Sequence, residues 1–157
     1  MLAAVVLAAL NAALVACGAD PEPVHGFAAN RILVRIHTDG GVVELTSLEV
    51  ARTPEARAMG LMGRTELREG GGMVFLFDGP TTSAFWMKDT LIPLSIAFWD
   101  EDGLITDILD MRPCRADPCP LYGASGPYVG AIEMDRGALD RLGVEVGDTV
   151  EYRLLTE

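Results

Sequence analysis

The stretch FWMKDTLIPLSIAFW, residues 85–99, decides the fold of this chain. It contains both tryptophans, Trp86 and Trp99, and the only lysine, Lys88. A proline divides its bulky apolar residues, which predicts a kinked strand or bulge rather than a helix. Core packing explains the aromatic residues, but a lysine normally keeps its ammonium group in water. The stretch is therefore the first candidate for a recognition surface.

Apolar residues recur at every second position on both sides of this stretch, which is the pattern of half-buried strands. The predicted strands cover residues 31–37, 42–50, 73–77, 84–87, 93–99, 104–111, 128–134 and 149–155. A first helix is predicted from Pro54 to Met59 or Leu61, after an N-cap at Thr53. A second short helix is predicted over residues 135–143.

Turn signals recur roughly every eight to twelve residues, and the long crossover helices that a parallel sheet requires are missing. At 157 residues the chain has room for one domain with a substantial core. The sequence therefore predicts a mainly β fold: a single-domain antiparallel β-sandwich or a barrel-like fold with two short helices.

The N-terminal residues 1–16 are almost wholly apolar and too short for a membrane span of about 20 residues, so they are predicted to be a signal peptide. The sequence LVACG at its end resembles the lipobox of bacterial lipoproteins, which implies lipidation of Cys17. The basic residues expected before such a segment are missing, and the alternative is a buried N-terminal helix. Residues 17–29 are predicted to be a tether and residues 30–157 a single β-rich domain.

These features predict an exported protein, lipid-anchored at the periplasmic face of the envelope or outside the cell. The net charge of −11 argues against a nucleic-acid binder, which needs a basic surface to contact phosphates. It also disfavours direct contact with anionic lipid, so the N-terminal anchor is the expected membrane contact. We expect a monomer with a small-molecule or envelope partner and without a cofactor.

Two cysteines, Cys114 and Cys119, lie in the proline-rich segment PCRADPCP. An oxidising compartment and an even number of remaining cysteines favour a disulfide between them. A metal site is the alternative, but no histidine lies nearby to complete it. A redox motif is a further alternative, although such motifs more often have two intervening residues. No metal site is predicted.

Candidate site residues are few, because the sequence contains no nucleophile elbow, phosphate-binding loop or dinucleotide fingerprint. A ligand-binding surface is predicted from Trp86, Lys88 and Thr90, with Arg64 and Glu133 nearby. A cation, a hydroxyl group and an indole on one irregular edge suit an anionic or sugar-like ligand. Glu133 lies among apolar residues of a predicted strand, where it faces either outward or toward the Lys88 region.

Three functions follow from this set of residues. The leading hypothesis is a small binding or accessory domain. The second is an enzyme that uses an acid–base pair, which requires Lys88 in a cleft within hydrogen-bond reach of Glu133, Asp89 or Asp110. The third is a structural protein of the cell envelope. No catalytic residue is assigned.

The order of several motifs resembles one known family. The motifs are RAMGLMGR at residues 57–64, GMVFLF at 72–77, FWMKDTLIPL at 85–94 and the pair Gly147-Asp148. They are similar to the bacterial and archaeal family called domain of unknown function 192, and the similarity runs from about residue 45 to residue 155. The resemblance implies a compact, mostly β, sandwich-like domain, often behind a signal peptide, and it implies no activity.

Two positions depart from the usual pattern of that family. Asp89 stands where asparagine is common, and Ser95 stands where aspartate is common. If that aspartate had a binding or catalytic role in the family, Ser95 would not support the same role here. The segment from Pro113 to Pro120, with Tyr122, is similar to a subset of exported members.

Overall fold

The computed structural model describes residues 31–155, and the predicted signal peptide, Cys17 and the tether lie outside these residues. The described residues form ten strands and two helices. The strands are β1 (Arg31–Thr38), β2 (Gly41–Leu45), β3 (Leu48–Ala51), β4 (Gly72–Thr81), β5 (Phe85–Trp86), β6 (Leu94–Trp99), β7 (Ile105–Met111), β8 (Leu121–Tyr122), β9 (Tyr128–Asp135) and β10 (Thr149–Leu155). The helices are α1 (Pro54–Met59) and α2 (Ala138–Arg141).

The strands form two main sheets and one small ribbon. The three-stranded sheet has the order β10-β1-β2, the five-stranded sheet has the order β3-β4-β9-β6-β7, and β5 pairs with β8. Strand pairs are antiparallel except for β3 and β4, which run parallel. The predicted mainly β, sandwich-like fold is confirmed, and no barrel closes within residues 31–155.

The first core fills the space between the two main sheets. Ile32, Val34 and Ile36 alternate along β1 and are fully buried against the five-stranded sheet. The indole of Trp99 lies in the same core and covers Gly130, its partner residue on β9. A glycine in the interior of a strand commonly marks such a close approach. This core holds the two sheets together.

A second core lies on the opposite face of the five-stranded sheet, so that this sheet is buried on both sides. All six residues of β6 are buried, as expected for a continuous apolar run in a sheet with two covered faces. The cover consists of α1, the turn that follows it and the β5–β8 ribbon, and it packs on residues such as Phe75 and Phe98. This second core contains the cavity described below.

Helix α1 begins as its sequence predicts. The Thr53 hydroxyl accepts a hydrogen bond from the Ala56 N–H at 3.1 Å, and Pro54 occupies the first turn. Ala56 is buried in the core and Ala58 is exposed. Helix α2 is shorter than predicted and begins after Gly137 instead of at Asp135, because Gly137 has a left-handed backbone conformation that ends the preceding turn.

The structure corrects three predicted segment boundaries. The predicted strand at residues 42–50 is two strands, β2 and β3, which belong to different main sheets. Strand β4 extends to Thr81, beyond the predicted end at residue 77. Residues 112–127, where no strand was predicted, contain β8, which pairs with the first part of the 85–99 stretch. Each difference depends on pairing between distant strands, which local sequence patterns do not report.

Candidate functional site

A cavity of about 440 Å³ lies over the second face of the five-stranded sheet, beneath α1 and beside the β5–β8 ribbon. Strands β4 and β9 form its floor, and α1 with the turn that follows it forms one wall. Its aromatic lining consists of Phe75, Phe77, Phe85, Trp86 and Tyr128. Its polar lining consists of Arg57, Thr81, Ser83, Thr90 and Glu133. An apolar cavity with a few convergent polar groups is the usual form of a small-molecule site.

Edge-to-face contacts fix the aromatic lining in place. The rings of Phe75 and Phe85 lie 4.9 Å apart, and those of Phe77 and Tyr128 lie 5.3 Å apart. The Tyr128 hydroxyl donates a hydrogen bond to the Ser83 carbonyl at 2.6 Å. Burial raises the pKa of Tyr128 to about 12, and the nearby Arg57 charge opposes that rise. Tyr128 therefore acts as a neutral, anchored wall residue.

Glu133 is the one buried carboxyl group of the cavity. It lies on β9 between Met73 of β4 and Ile96 of β6, and both neighbours are fully buried. Only 4% of Glu133 is exposed, and within residues 31–155 it has no hydrogen-bond or ion-pair partner. Desolvation by burial raises the pKa of Glu133 from 4.5 to about 8, so the group is mostly protonated at pH 7.

Arg57 supplies a positive charge to the same cavity. Its Nη1 donates hydrogen bonds to the carbonyl groups of Arg52 and Leu76, at 2.6 and 2.9 Å. Its guanidinium carbon lies 4.8 Å from the ring centroid of Phe77. The planar guanidinium is thereby held on the aromatic wall, as cation–π contacts favour.

Three residues of the predicted site, Trp86, Thr90 and Glu133, line this cavity together. Trp86 is 47% exposed at the rim, whereas Thr90 is buried in a turn closed by a hydrogen bond from its N–H to the Met87 carbonyl at 3.3 Å. Asp89 occupies the left-handed region of that turn, with φ of 54°. Asparagine and aspartate tolerate this conformation better than most residues do.

The other two residues of the predicted site, Lys88 and Arg64, do not line the cavity. Lys88 is exposed, with its Nζ 5.4 Å from the ring centroid of Trp86, and it borders a second hollow beside the disulfide loop. Within residues 31–155 it forms no ion pair with Glu133, Asp89 or Asp110, and such a pair is what the acid–base hypothesis requires.

Arg64 forms an ion pair with Glu49 at 2.8 Å. Glu49 is the partner residue of Met73, which in turn is the partner residue of Glu133. Directly opposed residues share one face of a sheet, so the ion pair lies on the same face as Glu133 with Met73 in between.

Ser95 lies on the opposite face of the five-stranded sheet from the cavity. Its hydroxyl donates a hydrogen bond to Asp110 at 2.6 Å and accepts one from the Gly137 N–H at 2.8 Å. These bonds connect β6 to β7 and to the start of α2. The serine at position 95, where aspartate is common in the family that the sequence resembles, therefore makes a structural contact and does not line the cavity.

The disulfide Cys114–Cys119 is present and lies next to the β5–β8 ribbon. The Cys114 N–H donates a hydrogen bond to the Met87 carbonyl at 3.2 Å, which ties this loop to the 85–99 stretch. Trp86 pairs with Leu121 just beyond the loop. The disulfide loop thus supports the cavity wall that carries Phe85 and Trp86.

Sequence reasoning did not place Phe75, Phe77 or Tyr128 in the site, and it chose Arg64 rather than Arg57 as the nearby arginine. One available signal was the segment AIEM at residues 131–134, where a single carboxyl group interrupts an apolar strand. The partners of that carboxyl group come from three separated segments, so only the folded chain identifies them. Residues 31–155 contain no group of three or more histidine, cysteine, aspartate or glutamate side chains placed to hold a metal ion.

Comparison with known proteins gives a family and several similar solved structures. Residues 34–152 match the family called domain of unknown function 192, described as an uncharacterized ACR. A crystal structure of a protein of unknown function from Novosphingobium aromaticivorans DSM 12444 is 36% identical, with a TM-score of 0.69 over 76% of this chain and 83% of its own. No curated protein matches the chain.

The second neighbour is a crystal structure of a protein from Sinorhizobium meliloti 1021 that was proposed to be a transcription regulator. It is 32% identical to this chain, with a TM-score of 0.71 over 81% of this chain and 98% of its own. The neighbours thus agree on the fold, and the family as a whole carries no assigned activity.

Proposed function

The chain belongs to the domain of unknown function 192 family, and from this premise we propose that it is a small binding domain that holds an organic molecule in the cavity beneath α1. The observation that carries the proposal is the carboxyl group of Glu133, which is only 4% exposed, lines an aromatic cavity and has no hydrogen-bond or ion-pair partner within residues 31–155. A buried polar group without a partner costs on the order of 1–3 kcal/mol. A ligand that pairs with it would offset that cost.

Trp86 provides a direct probe of this proposal, because it lines the cavity while Trp99 lies in the other core. We expect the neutral aromatic probe 2-phenylethanol to shift the indole N–H resonance of Trp86 in a saturable way and to leave that of Trp99 unchanged. Ala58 lines the cavity rim, so Ala58→Phe should fill the entrance and weaken binding several-fold.

Glu55→Phe is the matched control for the filling variant, because Glu55 is exposed on the same helix and does not line the cavity. It should bind the probe as the wild type does. Equal binding by the wild type and Ala58→Phe, or a response confined to Trp99, would contradict a ligand site in this cavity.

Export and lipid anchoring belong to the same proposal and rest on the N-terminal sequence. The apolar residues 1–16, the lipobox-like LVACG and the tether at residues 17–29 support a domain held at the periplasmic or outer face of a membrane. Within residues 31–155 no helix combines the length and the apolar character that membrane crossing requires.

Changing Cys17 to serine is expected to move the full-length protein from the membrane fraction to the soluble fraction, because serine offers no thiol for lipidation. Cell fractionation of a bacterial host that processes lipoproteins, followed by immunoblotting, measures the change. Cys114→Ser together with Cys119→Ser is the control, and that variant should stay in the membrane fraction. Unchanged fractionation of Cys17→Ser would remove the lipid anchor from the proposal.

The description of the Sinorhizobium meliloti protein raises a second candidate function, a regulator of transcription. Sequence-independent contact with DNA needs a positive surface to neutralise phosphates, whereas this chain has a net charge of −11. We therefore keep the small-molecule binding domain as the proposed function, without a nucleic-acid partner.

A further inference from the structure

We propose that the ligand carries an ammonium group, which lies against the Glu133 carboxylate, on an apolar body that contacts the aromatic lining of the cavity. This inference names the ligand class of the proposed function and rests on it. It follows from the position of the Glu133 carboxyl group and from the positions of all charges around it.

Among the described residues 31–155, no cation forms an ion pair with Glu133. Across the sheet, in line with Glu133, lie the charges of the Glu49–Arg64 ion pair, which are already paired with each other. Asp135, two residues further along β9, shares the face of Glu133 and is also an acid, so it offers no positive charge. The strand neighbours Met73 and Ile96 are apolar and buried. The space in front of the carboxyl group is thus the cavity itself, and a charge partner for Glu133 has to enter from outside.

The positive charge of Arg57 lies at the end of the cavity away from Glu133. Its guanidinium lies over Phe77, whereas Glu133 lies opposite Met73, four residues earlier on β4. Four residues span about 13 Å along a strand. No ion pair joins Arg57 to Glu133 within residues 31–155, and the Nη1 of Arg57 is already bound to two carbonyl groups.

Two hydroxyl groups of the lining already donate hydrogen bonds within the protein. The Tyr128 hydroxyl is occupied by the Ser83 carbonyl, and the Thr90 hydroxyl donates to the Lys88 carbonyl at 3.4 Å. Glu133 is therefore the anchor for a polar ligand group at its end of the cavity. The rings of Phe75 and Phe85 lie alongside and suit both an apolar body and a cation, since the faces of aromatic rings attract positive charge.

An ammonium ligand displaces a proton when it binds. The carboxyl group of the free protein is protonated below its pKa of about 8. On binding, the carboxyl proton leaves to solvent and the carboxylate pairs with the ammonium group, so one proton is released for each molecule bound. Tyr128 also lines the cavity, and its raised pKa of about 12 keeps it neutral between pH 6 and pH 8.

The experiment compares 2-phenylethylamine, which is a cation at neutral pH, with 2-phenylethanol, which has the same ring and chain and no charge. Dissociation constants come from the shift of the Trp86 indole N–H resonance at pH 6, 7 and 8. We expect the affinity for the amine to rise about tenfold from pH 6 to pH 7 and about fivefold from pH 7 to pH 8, where half of the carboxyl groups are already ionised in the free protein. As the pH rises, the affinity for the alcohol should increase only slightly or decrease.

The variant Glu133→Gln tests the assignment to this residue. It keeps the shape of the side chain and removes the ionisable group, so the pH dependence for the amine should vanish and its affinity at pH 8 should drop at least tenfold. The alcohol should still bind to the variant, which also shows that the variant is folded. Amine affinity that is independent of pH, or that survives in Glu133→Gln, would overturn the ammonium assignment.

The two probes also separate the failure of this inference from the failure of the proposed function. If the alcohol binds in the cavity and the amine does not, the binding site stands and the ligand class is wrong. If neither probe shifts the Trp86 resonance, the binding site and the ligand class are both wrong. Matched binding of the two probes at every pH would support a purely apolar site.

Discussion

The variant Glu133→Gln is expected to be more stable than the wild type at pH 8, by about 4 kcal/mol, and to keep only about 1 kcal/mol of this advantage at pH 5. Burial raises the pKa of Glu133 to about 8 in the folded protein, against 4.5 for the free side chain. The folded state therefore holds its proton over a pH range in which the unfolded chain has released it. Glutamine has no proton to release, so the difference disappears.

The direction of the pH effect follows from these two pKa values. Below pH 4.5 the group is protonated in both states and costs nothing extra. Between pH 4.5 and pH 8 the unfolded chain gains stability by ionising, so the free energy of unfolding of the wild type falls as the pH rises. Above pH 8 both states are ionised and the cost no longer grows.

Urea unfolding at pH 5 and pH 8 measures this difference. Glu55→Gln is the control, because Glu55 is exposed on α1, and its stability should follow that of the wild type at both pH values. If Glu133→Gln and the wild type show the same pH dependence, Glu133 is solvated or paired, and the electrostatic description of the cavity is wrong.

The variant Gly130→Ala is expected to be severely destabilised, by about 3 kcal/mol or more, since inserting atoms into a packed core costs about 1–3 kcal/mol and here the obstacle is a rigid ring. A Cβ atom at this position would lie 2.8 Å from Cη2 of Trp99 and closer still to Cζ2 and Cε2. Gly130 is on the central strand β9, and Trp99 is fixed in the first core. Neither can move without disturbing the pairing of β6 and β9.

Thermal or urea unfolding of Gly130→Ala gives the measurement, and Gly79→Ala is the matched control. No atom lies within 4 Å of the Cβ that an alanine would add at Gly79, so that variant should stay within about 0.5 kcal/mol of the wild type. The double variant Gly130→Ala with Trp99→Leu should recover part of the loss if the clash is the cause. A Gly130→Ala protein as stable as Gly79→Ala would contradict the described packing.

Local patterns predicted the parts of the fold that depend on neighbours in sequence. The alternation of Ile32, Val34 and Ile36 identified a strand with one buried face, and the Thr53-Pro54 pair identified the start of α1. The break between β2 and β3 was missed because both halves of residues 42–50 have strand-like composition. Their assignment to different sheets depends on pairing with β1 and β4.

The candidate site was predicted in part, for a comparable reason. Three residues are unusual in their sequence segments and line one cavity in the structure: Trp86, Thr90 and Glu133. Lys88 was predicted in the site because it is the only lysine. It lies outside the cavity because the pairing of β5 with β8 places it beside the disulfide loop. Arg57 is one of eleven arginines, and only its contact with Phe77 distinguishes it.

The Glu133 carboxyl group in its aromatic cavity is the central claim of this account, and its titration is the most direct test. The measurement is the pH dependence of the carboxyl carbon resonance of Glu133 by NMR, assigned with Glu133→Gln, in the free protein and with saturating 2-phenylethylamine. The account predicts a pKa of about 8 in the free protein and a markedly lower pKa with the amine bound. A pKa near 4.5 in the free protein would contradict it.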